Sequence, residues 1–447
     1  MRYISTRGQS SPCSFSQAAL KGLAEDGGLY VPEFIPQLDL EKLRGQPYWA
    51  VACSVMAPFC DLPRPTLEKL CQEAYPEKWG VAPYVSDPWG GRLELFHGPT
   101  YSFKDVALQF LSRLLEHLLQ QRSERLNLLV ATSGDTGSAA LASVVGCAHL
   151  KAIVMYPRGR VSPLQELQMT TLLEPNTLCL EVEGTFDDCQ AILKELNRDL
   201  EWKARYRLGA VNSVNWARLL AQSCYYVYSY LQAGQPLHWV VPTGNFGNVL
   251  SAWLATEMGV PFKGITAATN SNDIVHRFLS TGQYQRAEVS ATLAPAMDIQ
   301  VASNLERYLY FLTGAERTRA CMKEFEETGH VSPFQTPPPG PIGSGRADRE
   351  EILRAVRHYH RHTGQVLCPH SAVAHHVATQ LGLSQRLIVC TAHSGKFPEA
   401  TESALGPGLG QHQGLLQLHG QRRRSFPLAA TATAVRTWFE TEIGTQD

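Results

Sequence analysis

A lysine, a glycine-rich turn and a set of hydroxyl-bearing turns are the residues of this chain whose types and spacing suit chemistry. Lys104 stands in the stretch HGPTYSFKDVALQFLSRLLEHLLQQR. Val106, Phe110, Leu111, Leu114, Leu115 and Leu118 recur there at helical spacing, so the lysine falls in the first turn of a predicted helix, beside Phe103. Ser102 is placed to cap that helix, and Asp105 suits its positive end. A lysine next to a positive helix end and apolar side chains is expected to have a lowered pKa. A neutral amine is what Schiff-base chemistry requires. Taken alone, an ordinary lysine snorkelling at a helix start is the commoner explanation.

The second feature is PTGNFGN, residues 242–248, between an apolar run and a predicted helix. Gly244 and Gly247 allow a tight turn whose successive amides can face one anion, and the helix start adds favourable potential. Asn245 and Asn248 supply side-chain donors. It lacks a Walker lysine and a full G-x-G-x-x-G, and a plain glycine-rich turn is its rival reading. TSGDTGSAA, residues 132–140, is a second strand–turn–helix start, where Ser133 and Thr136 suit a carboxylate or phosphate, or simply cap the helix. In NSVNWAR, residues 212–218, Ser213, Asn215 and Arg218 lie close together, and arginine is the better phosphate ligand because its fork is bidentate. Thr391 ends the apolar run RLIVCT and offers a hydroxyl to a ring nitrogen, or caps a helix. HYHRHTG, residues 358–364, has a metal-like look. A helix would splay His358, His360 and His362 to different faces, and no cysteine pair or H-E-x-x-H accompanies them, so a solvated helix end is expected and no metal.

The elements that must position these groups follow from the pattern of short apolar runs and amphipathic stretches. Strand-like LNLLVATSG, KAIVMYPRG, LHWVVPTGNFGN and RLIVCTAHSGKF alternate with helical segments. Such strand–turn–helix units imply a largely parallel sheet covered on both faces, with ligands at the carboxyl ends of its strands. Residues 1–90, rich in Gly, Pro and aromatics, are expected as a smaller leading domain. Residues 91–404 are expected as the core, and 405–447 as a flexibly joined tail carrying the basic run Arg422–Arg424.

Composition narrows the class. The chain has 447 residues, long enough for two or three cores, with 44% hydrophobic and 18% charged residues, so it is globular. A net charge of −1 provides no global pull toward nucleic acid or membrane. Eleven cysteines occur without a C-x-x-C pair, which reads as reduced, buried thiols. With no secretory-type start and no window of roughly 18 apolar residues, a cytoplasmic location is the expectation.

Together the motifs resemble the threonine synthases, of the pyridoxal-phosphate fold type II superfamily. The carrying segments are YISTRGQ, GLAEDGGLYVP, TYSFKD, ATSGDTGSAA, YPRGRVSPLQELQM, NSVNWARLLAQ, PTGNFGN, SNLER and TAHSGKF, in the family's order. Within that family the chain looks most like the vertebrate threonine synthase-like branch. The resemblance implies an α/β fold akin to tryptophan synthase β, with two open twisted lobes, the smaller spanning roughly 105–210, plus an N-terminal domain. It implies pyridoxal 5′-phosphate as cofactor and Lys104 as its Schiff-base lysine. By the same resemblance Gly244, Asn245, Phe246, Gly247 and Asn248 hold the cofactor phosphate, and Thr391 faces the pyridine nitrogen. Asp135 lies near the phenolic oxygen, Ser133 and Thr136 near the substrate carboxylate. Ser213, Arg218 and Asn248 hold the substrate phosphate.

Three departures from the family pattern stand out: Ser394 and Gly395 where Pro-Ala is usual, Cys368 where Asp is usual, and the proline-rich loop 336–345. For function, the branch resemblance implies a phospho-lyase that converts O-phosphohomoserine and O-phosphothreonine to 2-oxobutanoate, ammonia and phosphate. True threonine synthase activity, a dehydratase of unphosphorylated substrates and an inactive binding or signalling relative are the alternatives. A monomer and a homodimer are both compatible with the sequence.

Overall fold

The structure, a computed structural model, describes residues 1–209 and 213–444. The chain divides into two compact units. The larger comprises residues 1–107 and 213–411, and the smaller comprises 108–212 and 412–447.

The larger unit is built on a six-stranded sheet. Its order is Ile342–Arg346, Gly264–Thr269, His238–Pro242, Arg386–Cys390, Gly90–Glu94 and Tyr84–Asp87. All neighbours are parallel except the last pair, which is antiparallel. The inner strands are buried along their length, His238–Pro242 almost wholly and Arg386–Cys390 wholly, as expected where helices cover both faces. Behind the sheet, Ile388, Cys390 and Ala392 pack with Ile352, Val356, Tyr359, Val373 and Val377 of helices Arg349–Thr363 and Pro369–Gln380.

Residues 1–90, expected as a smaller leading domain, fall within this compact unit. Tyr3–Ser5 pairs antiparallel with Tyr30–Pro32. Thr6 Oγ1 donates to Glu306 at 2.6 Å, Arg7 Nε pairs with the same carboxylate at 3.1 Å, and Arg307 Nε donates to the Tyr30 carbonyl at 3.0 Å. These long-range polar bonds cannot be read from a local pattern.

The smaller unit holds a fully parallel sheet in the order Phe426–Ala429, Thr177–Glu183, Leu150–Pro157, Leu126–Ala131 and Leu208–Gly209. Its first strand corrects the expectation of a C-terminal tail. Residues 426–429 complete the sheet edge, and helix Ala432–Glu442 buries Val435, Trp438 and Phe439 against Leu180, Ile192 and Trp202. Of the basic run, Arg424 is docked, donating to the carbonyls of Glu174 and Thr177, while Arg422 and Arg423 are exposed. The last three residues of the expected tail, 445–447, lie outside the described residues, as does Asn212 of the NSVNWAR motif. No helix among the described residues is long and apolar enough to cross a membrane.

Candidate active site

Lys104 opens helix Lys104–Arg122, and its approach is pinned to the centre of the large sheet. The Phe103 amide donates to the Thr391 carbonyl at 2.8 Å, His393 N donates to the Tyr101 carbonyl at 3.1 Å, and Ser102 bridges Ala392. Tyr101 takes a left-handed φ of 57°, rare for a tyrosine and held in place by that bond. The lysine is half-buried, with Nζ 5.3 Å from the centre of the Phe103 ring.

Behind it lies a group that the sequence did not reveal. Asp105 was expected to serve the positive helix end. It is buried, and it accepts from Thr100 N and Thr100 Oγ1 at 2.8 and 2.7 Å. Lys396, also buried, donates to the Thr100 carbonyl at 2.8 Å. Burial pushes the Asp105 carboxyl up to about 6, against the Thr100 hydrogen bonds and the nearby Lys396 charge that favour its ionised form.

The glycine turn sits on the neighbouring strand. His238–Pro242 and Arg386–Cys390 run parallel with Ile388 opposite Val240. That pairing ends at Ile388 and Val240, three residues before Thr391 on one strand and Thr243 on the other. The turn then enters helix Gly247–Glu257 through Phe246, which has a left-handed φ of 63°. Gly244 allows a close approach there: a Cβ would meet the Ala296 carbonyl at 3.1 Å and Met297 Cα at 3.2 Å, tight enough that the neighbouring backbone would have to give.

The SNLER segment ties the turn down. Asn304 N donates to the Asn245 carbonyl at 3.1 Å, Asn304 Nδ2 donates to the Ser213 carbonyl at 3.0 Å, and Arg307 holds Asn304 and Val214. Ser213 is thereby fixed beside the turn.

Two buried donors are left over. Tyr225 and Tyr226 donate to Asn248 Oδ1 at 2.5 and 2.7 Å, which orients the amide and leaves Nδ2 without a partner. Arg218 is 5% exposed, and its Nε has no hydrogen-bond partner. No acid pairs with it among the described residues, and burial alone pulls its pKa down to about 10. Arg218, Gln222 and Tyr225 share one face of helix Trp216–Ala233, and Tyr225 OH lies 3.5 Å from Gln222 Oε1. A buried guanidinium without a carboxylate calls for an anion. A lysine, an amide-lined turn with spare donors and a strand-end hydroxyl fit a cofactor with an aldehyde, a phosphate and a ring nitrogen.

In the smaller unit, the turn after Leu126–Ala131 brings Ser133, Asp135 and Thr136 to the start of helix Asp135–Val144. Thr132 Oγ1 accepts from Gly134 N and Gly137 N, both at 3.0 Å. Gln165 Nε2 donates to Asp135 Oδ1 at 2.9 Å. Ser133 is exposed and Thr136 half-buried, so both hydroxyls are available.

Residues 2–75 match the family description "Threonine synthase N terminus", and residues 91–331 match "Pyridoxal-phosphate dependent enzyme". The chain is 41% identical to the threonine synthase of Pseudomonas aeruginosa over 432 residues, covering 92% of this chain and 91% of that one.

The chain belongs to the threonine synthase family.

It is a fold type II enzyme of that family, a lyase whose cofactor is pyridoxal 5′-phosphate. The crystal structure of pyridoxal-phosphate-bound threonine synthase from Brucella melitensis superposes with a TM-score of 0.94 at 36% identity, covering all of both chains. Threonine synthase-like 2 of Mus musculus is 36% identical over 90% of this chain and 89% of its own. The expected leaning toward the vertebrate branch is therefore not borne out, since a bacterial threonine synthase is at least as similar.

The histidine stretch also departs from expectation. His358 and His362 lie one helical turn apart on one face, with ring centres 4.4 Å apart, and both pack on Trp89. His358 Nδ1 meets His375 Nε2 at 2.9 Å. Only His360 turns elsewhere. No group of metal-ligating side chains is present among the described residues.

Proposed function

We propose that this enzyme is a threonine synthase acting on O-phosphohomoserine, with phosphate leaving the γ-carbon and water adding at the β-carbon. Release of phosphate is supported by Arg218, a buried guanidinium with no acidic partner among the described residues, on the helix face of Tyr225, whose hydroxyl holds the Asn248 amide with its Nδ2 spare. Gly244, Asn245, Phe246, Gly247 and Asn248 would hold the cofactor phosphate, Thr391 its ring nitrogen and Asp135 the region of its phenolic oxygen. When bound, the cofactor supplies an electron sink for carbanions next to the substrate amine.

Lys104 then has two tasks, anchoring the cofactor and, once displaced, moving a proton from the α-carbon. The backbone bonds from Phe103 and Tyr101 to the strand end keep the amine in register for this. Ser133 and Thr136 would receive the substrate carboxylate. Ser213 and Arg218 would bind the departing phosphate and stabilise the charge that grows on it. Thr391 is a neutral partner for the ring, which favours elimination and replacement over transamination.

A second reading ends in 2-oxobutanoate and ammonia. It would arise if water were not held at the β-carbon. One departure from the family pattern lies behind Thr391: Cys368 Sγ lies 3.1 Å from Ser371 Oγ, which accepts from Thr391 N at 3.3 Å.

The test compares phosphorylated with unphosphorylated substrate. Arg218→Ala should lower kcat/KM for O-phosphohomoserine by about 10²–10³-fold, with Arg218→Lys intermediate. Any activity on L-serine should change little. An equal loss on both substrates would remove Arg218 from phosphate recognition.

A further inference from the structure

A second polar cavity lies inside the larger unit, on the opposite face of its sheet from Asp105. Leu95 borders Asp105 and Val106 on one face, whereas Arg92, Glu94 and Phe96, at alternate positions, border a cavity of about 370 Å³ on the other. Neither Lys104, Thr391 nor the turn 244–248 lines that cavity.

Its polar groups have no part in the proposed reaction. Arg92 Nε pairs with Glu94 Oε1 at 2.6 Å, and the two side chains are only 13% and 14% exposed. The other Glu94 oxygen meets His97 Nε2 at 2.9 Å. Arg92 also meets the Tyr359 hydroxyl, which donates its own proton to Asp87 Oδ2. A guanidinium carries five N–H donors, so several remain for a ligand. His360 lines the same space, and its Nδ1 is buried without a hydrogen-bond partner. Buried polar atoms in native proteins are normally satisfied, so an orphan in a cavity wall marks where a ligand atom belongs. Phe96, Val366 and Leu367 give the remaining wall an apolar character, and the volume suits a small molecule.

We propose that this cavity binds a small carboxylate ligand, best matched by a free α-amino acid. The carboxylate would take the spare Arg92 donors, the ammonium group would face Glu94, and the side chain would lie toward Phe96 and Val366.

The wall of the cavity gives occupancy a consequence. Ala392, His393 and Ser394 line it, and this same stretch carries the lysine approach through His393 N to the Tyr101 carbonyl and through the Ala392–Ser102 bridge. A ligand there bears on the segment that sets Lys104. The cavity is thus an effector site and not a second substrate pocket. This assignment does not depend on which product the enzyme releases.

Isothermal titration of the borohydride-reduced holoenzyme, whose reacting centre no longer exchanges amines, with glycine, L-threonine and propionate tests it. Saturable binding of at least one amino acid is expected, with propionate weaker by about tenfold for want of the Glu94 contact. Arg92→Met should weaken binding by a similar factor. Val366→Phe fills the cavity without touching the ion pair and should abolish binding while the variant keeps its cooperative melt and cofactor absorbance. Propionate binding as well as the amino acids, and lost in Val366→Phe, would keep the carboxylate site and assign it to plain carboxylates. No binding by any of the three at millimolar concentration, or binding undiminished in Val366→Phe, would overturn the proposal.

Discussion

The amide of Phe103 donates to the carbonyl of Thr391 across 2.8 Å, so the residue before the lysine and the residue ending the central strand are one hydrogen-bonded unit. That bond uses backbone atoms alone. Lys104→Ala should therefore leave it intact, and the variant should melt like the wild type. Borohydride trapping of the cofactor on the chain should vanish, as read by intact-protein mass spectrometry. Trapping that persisted would move the anchor to another lysine.

Tyr225 and Tyr226 both spend their hydroxyls on one oxygen of Asn248. Removing either should cost about 1 kcal/mol, since the other still holds the amide. The double change Tyr225→Phe/Tyr226→Phe frees the amide to turn, and cofactor affinity should fall by about tenfold or more. Fluorescence titration of apoenzyme with the cofactor measures it. Unchanged affinity in the double variant would show that Asn248 does not need this orientation.

His375 predicts an acid-sensitive fold. Burial, then the charge of Arg386 and then His358, pull its pKa from 6.5 down to about 3. His362 and His376 add to the effect, and the Trp89 ring covers His375 from one side. The unfolded chain binds this proton more readily than the folded one. The resulting stabilisation is complete above pH 6.5 and is lost as pH falls toward 3. Such a shift corresponds to a few kcal/mol in order of magnitude. His375→Gln should flatten the fall in melting temperature between neutral and acid pH, and a slope as steep as the wild type would discount His375.

Phe439, fully buried in the smaller unit, touches Trp202, Tyr206 and Trp438. Phe439→Ala should destabilise that unit by about 3–5 kcal/mol. Urea unfolding followed by the fluorescence of its tryptophans checks this. A loss under 1 kcal/mol would mean that the C-terminal helix contributes little to its core.

What was legible in the sequence was whatever local geometry dictates. Gly244 was readable because two glycines between an apolar run and a helical segment mark a tight turn, and Lys104 because its helix carries an apolar repeat. Partners far along the chain were not. The bond from Lys396 to Thr100 spans 296 residues, and those from Tyr225 and Tyr226 to Asn248 link two different helices. The C-terminal strand was missed because Phe426–Ala429 has four half-exposed or exposed residues at a sheet edge, preceded by glycines that read as a flexible join. His358 and His362 were expected on different faces, although a spacing of four residues puts them on one.

The proposed reaction breaks the bond between the substrate's γ-carbon and the phosphate oxygen and adds water at the β-carbon. The most direct test incubates the holoenzyme with O-phosphohomoserine in ¹⁸O-labelled water and analyses both products by mass spectrometry. Threonine and phosphate are expected in equal amounts, with the label in the threonine hydroxyl and none in the phosphate. Mainly 2-oxobutanoate would contradict it in favour of the lyase ending, and homoserine with labelled phosphate would contradict carbon–oxygen cleavage altogether.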